Sequence, residues 1–142
     1  MNQDLKIYFF GSIWGASSDK EIVSGLLTHL KTKGRVLSEY LFTEEYKTKE
    51  QHVRLIHDRN IKWIRESDVM VGDVSAPSLG IGYELREGVI RQEPILCLYK
   101  HQDGKKLSAM IDGSPGIIVE RYHSLEEAKS LIDTFFKKNL MA

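Results

Sequence analysis

Residues 68–88 read "DVMVGDVSAPSLGIGYELREG". The first seven form an apolar run of strand length, closed by the turn-forming "SAPSLG". That run offers no polar face, so the strand is expected to be covered on both sides. Strands of this kind belong to parallel sheets with helices packed above and below. Pro77 stiffens the loop, and a helix is expected over 81–92. Gly80 and Gly82 open that helix, which puts Glu84 in its first turn, beside the positive end of the helix dipole.

Both flanks repeat the unit. Further strands are expected over 5–10, 35–40, 93–100 and 116–122. Helices are expected over 18–33, 51–67 and 105–112, with a last one starting at Ser124. Ser18 with Glu21, and Ser124 with Glu127, have the spacing of capping boxes. Residues 41–50 are polar and read as a surface excursion. Strands alternating with helices give an α/β fold, a doubly wound, five-stranded parallel sheet. The flavodoxin-like order 2-1-3-4-5 fits, as one domain over 1–142. Ligands in such sheets bind beyond the carboxyl ends of the strands, at the switch point between strands 1 and 3. Two loops meet there, "GSIWGAS" (11–17) and "SAPSLGIGYE" (75–84). The first is neither a dinucleotide fingerprint nor a P-loop, since no G-x-G-x-x-G and no P-loop lysine is present. Taken alone, it is a tight strand-to-helix turn.

Charge narrows the partners. The 142 residues carry 20 basic and 20 acidic side chains, which gives no bulk attraction to nucleic acid or anionic lipid. The single cysteine, Cys97, sits inside an apolar run and reads as a small buried hydrophobe. No stretch has membrane-spanning length and no signal peptide is visible. A soluble, cytoplasmic protein is expected, with the nucleus open to it in a eukaryotic cell. No His, Cys or Asp set has metal-ligand spacing, and no cofactor is expected.

The candidate chemistry lies in the second loop. Ser75, Ser78 and Tyr83 are expected to share a cleft with Glu84. A carboxylate with a lowered pKa, held by a tyrosine and backbone donors, suits a nucleophile at a sugar's anomeric carbon. The plainer reading is a dipole-matching glutamate. Asp73, at a strand end, is the better candidate for a second carboxylate, ahead of Asp58. His57 reads as a packed or surface histidine.

Five segments together carry a resemblance: "YFFGSI" (8–13), "LIHDRNIKWI" (55–64), "SDVMVGDVSAPSLGIGYELREGV" (67–89), "ILCLY" (95–99) and "LSAMI" (107–111). In that order, over nearly the whole chain, they resemble the 2′-deoxynucleoside 5′-phosphate N-hydrolase family, within the nucleoside 2-deoxyribosyltransferase superfamily. The resemblance implies that Glu84 attacks C1′ of a 2-deoxyribosyl group and forms a glycosyl-enzyme ester, which water then opens. It implies that Tyr8 positions the nucleophile, with Asn60 close to both. Phosphate binding would fall to backbone groups of the first loop (Gly11, Ser12, Ile13, Trp14, Gly15), to Ser78 and to Ser108, with Gly80 and Asp73 as further substrate-binding candidates. Ser108, Ala109 and Met110 would enter the site of the other subunit in a homodimer. A serine at 78, where relatives acting on free nucleosides carry an acid, favours a phosphorylated substrate.

Three positions depart from the family pattern. Trp14 stands where an arginine is usual, Asn60 where an aspartate is usual, and Tyr40 where a histidine is usual. Trp14 removes a cation from the anion site, and Asn60 cannot hold or pass a proton as a carboxylate does. The leading expectation is hydrolysis of the N-glycosidic bond of deoxynucleoside monophosphates. The alternatives are transfer of the sugar to a second base, and nucleotide binding with little catalysis.

Overall fold

A computed structural model describes residues 4–12, 19–49 and 52–140. The strands are β1 (Lys6–Phe10), β2 (Arg35–Val36), β3 (Val69–Asp73), β4 (Ile95–Lys100) and β5 (Ile118–Tyr122). All pairings are parallel, in the order β2-β1-β3-β4-β5, as expected from the sequence. The helices are α1 (Lys20–Lys31), α2 (Glu44–Thr48), α3 (Val53–Glu66), α4 (Leu79–Ile90), α5 (Ala109–Asp112) and α6 (Leu125–Asn139).

Alternation along the strands divides the core in two. Ile7, Phe9, Val69, Val71, Leu96 and Leu98 pack with α1 and α6. Tyr8, Phe10, Met70, Ile95, Cys97 and Tyr99 pack with Ile61 and Ile64 of α3 and Leu85 of α4. Tyr8 is therefore committed to the α3–α4 side by parity alone. Cys97 is buried there, and burial pushes its thiol up to about 12, which suits a core residue.

Several boundaries differ from expectation, each for a local reason. Strand β2 ends at Val36 rather than residue 40. Leu37 still donates its N–H to Ile7, but the next rung belongs to a side chain. The buried Ser38 hydroxyl accepts from the Phe9 N–H at 2.9 Å and donates to the Phe9 carbonyl at 2.6 Å. Released from the sheet, Glu39–Phe42 form a 3-10 turn, and the polar excursion after it carries α2.

Helix α1 is capped by Asp19, which accepts from the Ile22 N–H; Ser18 lies outside the described residues. At α6, Ser124 does accept from the Glu127 N–H. Glu127, however, reaches past Ser124 to the His123 N–H, so the capping box is displaced by one residue. Helix α4 begins two residues earlier than expected, capped by Ser78 accepting from the Ile81 N–H at 3.2 Å.

Gly72 shows how tightly β1 and β3 approach. A Cβ placed there would stand 2.1 Å from the Phe10 carbonyl oxygen and 2.2 Å from its ring. Overpacking of this kind costs roughly 1–3 kcal/mol. Gly72→Ala is expected to lower the melting temperature by roughly 5 °C or more, measured by thermal denaturation.

Candidate active site

Two elements, β1 and α3, each bring one side chain to the same carboxylate oxygen of Glu84 on α4. Tyr8 of β1 donates its hydroxyl to Glu84 Oε2 at 2.8 Å, and Asn60 of α3 donates from Nδ2 to the same oxygen at 3.3 Å. Helical spacing explains the convergence. His57, Asn60, Ile61 and Ile64 share one broad stripe of α3; the two isoleucines anchor it in the core, and Asn60, next to Ile61 and one turn before Ile64, meets Glu84 of α4. Tyr8 is fully buried, while Glu84 and Asn60 are half-buried. Glu84 Oε1 has no hydrogen bond among the described residues.

The electrostatics correct the sequence-based expectation. Glu84 lies in the second turn of α4, because the helix starts at Leu79. The dipole at the first turn therefore does not explain it. Its donors are two side chains rather than backbone groups. Burial raises its pKa above the ordinary carboxylate value, and the hydrogen bonds from Tyr8 and Asn60 only partly oppose that. Tyr8 is likewise held protonated, by burial first and then by the adjacent Glu84 charge. The result is a carboxylate that is costly to ionise in its own pocket, gripped on one oxygen.

Asn60 is itself held in place. Arg59 donates from Nε and from a terminal nitrogen to Asn60 Oδ1, both at 3.2 Å. The guanidinium lies 4.9 Å from the Trp63 ring centroid, 5.5 Å from Tyr46 and 5.7 Å from Tyr40. Sequence reading passed over this cluster. Tyr40 closes the segment read as a strand and Tyr46 falls in the one read as surface, and adjacent helical residues such as Arg59 and Asn60 do not ordinarily face each other.

The other candidates fall elsewhere. Among the described residues, Ser75 and Ser78 line a groove whose lining includes neither Tyr83 nor Glu84. Tyr83 meets His57 Nε2 at 3.0 Å on the exposed side of α3 and α4, and His57 Nδ1 meets Asp58 at 2.9 Å. Asp73 shares the parity of Val69 and Val71 and points to the α1–α6 side. There it accepts from the Tyr122 hydroxyl and, at 2.8 Å, from the Ser75 N–H. With Ser12, Asp19 and Lys100 it lines a polar cavity of about 360 Å³ that Glu84 does not reach. Burial raises the Asp73 pKa.

Ser78, Ser108, Ala109 and Met110 line a groove of about 960 Å³ between α4 and the 106–117 segment. Its rim includes Leu79 and Met110, which are 97% and 82% exposed. Gly80 sits on the exposed first turn of α4, where a Cβ would meet Ser78 Oγ at 3.9 Å. Gly11 follows β1 directly. Ile13, Trp14 and Gly15 lie outside the described residues. Among the described residues, no group of three or more His, Cys, Asp or Glu could hold a metal ion, and no helix is long and apolar enough to cross a membrane.

Comparison with known proteins adds the lineage. No family model matches the chain. A Tetraodon nigroviridis protein, 5-hydroxymethyl-dUMP N-hydrolase, is 38% identical over 138 residues, covering 93% of this chain and 97% of that one. The Homo sapiens protein of the same name is 35% identical over 137 residues, covering 92% and 79%. The chain belongs to the 2′-deoxynucleoside 5′-phosphate N-hydrolase family. Among solved structures, a CMP N-glycosidase of Clostridium botulinum superposes with a TM-score of 0.66 at 16% identity, covering 90% of this chain and 98% of that one. A 2-deoxyribosyltransferase of Bacillus psychrosaccharolyticus gives 0.62 at 15% identity, covering 87% and 90%. These two share the fold.

Proposed function

We propose that this protein hydrolyses the N-glycosidic bond of 2′-deoxynucleoside 5′-monophosphates, releasing the free base and 2-deoxyribose 5-phosphate. The observation that carries the reading is the double grip of Tyr8 and Asn60 on one oxygen of the half-buried Glu84. Family membership supports the reaction class.

Glu84 is the nucleophile. Oε2 is held by the two donors, and Oε1 attacks C1′. The C1′–N bond breaks with its electron pair passing to the base, which takes a proton from solvent water, and a glycosyl ester forms on Glu84. The absent 2′-hydroxyl makes the oxocarbenium-like state easier to reach. Water then opens the ester and returns Glu84 as a carboxylate, as in retaining glycosidases. Tyr8 and Asn60 hold Glu84 in line. Ser78 and Gly80 at the start of α4, together with the first loop from Gly11 to Gly15, are the phosphate-binding candidates. Incubation with each of the four deoxynucleoside monophosphates, watching for free base by chromatography, tests the reading. Absence of base from all four overturns it. Repeating the assay with a second free base separates hydrolysis from transfer.

Ser108, Ala109 and Met110 are assigned to the site of a second subunit. The exposed apolar rim of the α4 groove supports this pairing, since Leu79 and Met110 are costly to leave in water. A homodimer at micromolar concentration is expected in sedimentation. Met110→Glu is expected to shift it toward monomer and to lower activity together. A fully active monomer rules out a shared site.

A further inference from the structure

Asn60 can present either face of its amide to Glu84. One face offers N–H, which steadies an ionised carboxylate. The other offers a carbonyl oxygen, which repels one. The choice belongs to Arg59. A guanidinium has five N–H donors and no acceptor, so whatever lies against it must accept. Two of its nitrogens stand 3.2 Å from Asn60 Oδ1. With Oδ1 committed to Arg59, Nδ2 can only face Glu84 Oε2, as observed at 3.3 Å.

The lock requires an arginine that stays in place. Trp63 lies one helical turn along α3, while Tyr40 and Tyr46 come from the segment between β2 and α3. The three rings surround the guanidinium at 4.9–5.7 Å. Cation–π contacts of this kind attract the guanidinium electrostatically, and its planar fork loses little freedom in forming its hydrogen bonds. With Asn rather than Asp beside it, Arg59 forms no ion pair with residue 60.

We infer that Arg59 is a positioning residue, which acts through Asn60 by fixing the amide so that it donates to Glu84. The inference rests on the assignment of Glu84 as the reactive carboxylate only for its consequence in catalysis. The geometric claim stands without it. The groups that bear on Glu84 are Tyr8 from β1 and Asn60 from α3, with Arg59 acting on Tyr8 through its charge.

The test reads Glu84 directly. Carboxyl carbon resonances of glutamate-labelled full-length protein are followed through a pH titration, with no substrate present. In Arg59→Met, and in Arg59→Leu should the first fold poorly, no donor at position 59 faces Oδ1, so the amide is free to turn and the Glu84 midpoint is expected to move to higher pH. Arg59→Lys, which keeps a donor against Oδ1, is expected to return it toward the wild-type position. Asn60→Ala raises the midpoint as well. Adding Arg59→Met to Asn60→Ala is expected to change nothing further, because the group on which Arg59 acts is gone.

An unchanged Glu84 midpoint in Arg59→Met and Arg59→Leu overturns the inference. So does an equal shift in the presence and absence of the Asn60 amide. With deoxynucleoside monophosphates as substrate, the same arginine variants are expected to lose roughly tenfold in kcat, about the worth of one hydrogen bond, with KM little changed. If no monophosphate is hydrolysed at all, the proposed reaction fails, while the titration still decides the role of Arg59.

Discussion

Glu84→Gln is expected to reduce base release by a factor on the order of 10⁴ or more, the scale seen when a covalent nucleophile is removed. Glutamine fits the same space. Its carbonyl oxygen can accept from both Tyr8 and Asn60, so the pocket keeps its hydrogen bonds and loses only the attacking oxygen. The fold gains from the change. A carboxyl whose folded pKa is raised disfavours the folded state above that pKa, where it must be charged while buried, and ceases to do so below its unfolded pKa. The melting temperature of Glu84→Gln is therefore expected to exceed that of the native protein near neutral pH, with the difference closing as pH falls through the carboxylate range. The same shift governs activity. The nucleophile must be ionised, so the acid limb of kcat/KM is expected above the ordinary glutamate value of about 4.3. A variant that retains most of its activity, or an acid limb at or below the ordinary value, would remove Glu84 from the reaction.

The site was legible where one local rule sufficed. The apolar run at 69–73 and the alternation of elements give the sheet order, and the strand-loop-helix unit at 68–88 puts Glu84 on the helix after β3. The expectations that failed needed interactions between distant parts of the chain. Treating the glutamate as a first-turn residue overlooked Ser78 as the helix cap, which moves Glu84 down one turn. The lowered pKa neglected burial, which outweighs two hydrogen bonds. Asp73 was readable in principle. It has the parity of Val69 and Val71, and Tyr8 has that of Met70, so the two must lie on opposite sides of the sheet. The Arg59 cluster was not readable, since its rings sit at 40, 46 and 63 with no common period.

Asn60→Asp is expected to raise turnover by about a hundredfold, with substrate affinity little changed because the two side chains fill the same space. Arg59 already supplies two donors to Oδ1, and it would hold an aspartate in the same pose as an ion pair. The other aspartate oxygen would then stand where Nδ2 now meets Glu84 Oε2 at 3.3 Å. Two ionised carboxylates do not remain that close, so the pair would hold one proton between them and titrate in two coupled steps. That proton is what the native site lacks, because a departing base needs one and an amide cannot give it. The pH–rate profile is expected to become bell-shaped, with its maximum in the single-proton range. Stopped-assay rates across pH for both forms, at saturating substrate, measure this. If the substitution leaves the rate unchanged or lowers it, the proton comes from another group. Asp73 is on the far side of the sheet, so the His57–Tyr83 pair, on the exposed side of the same two helices, would be the first to examine.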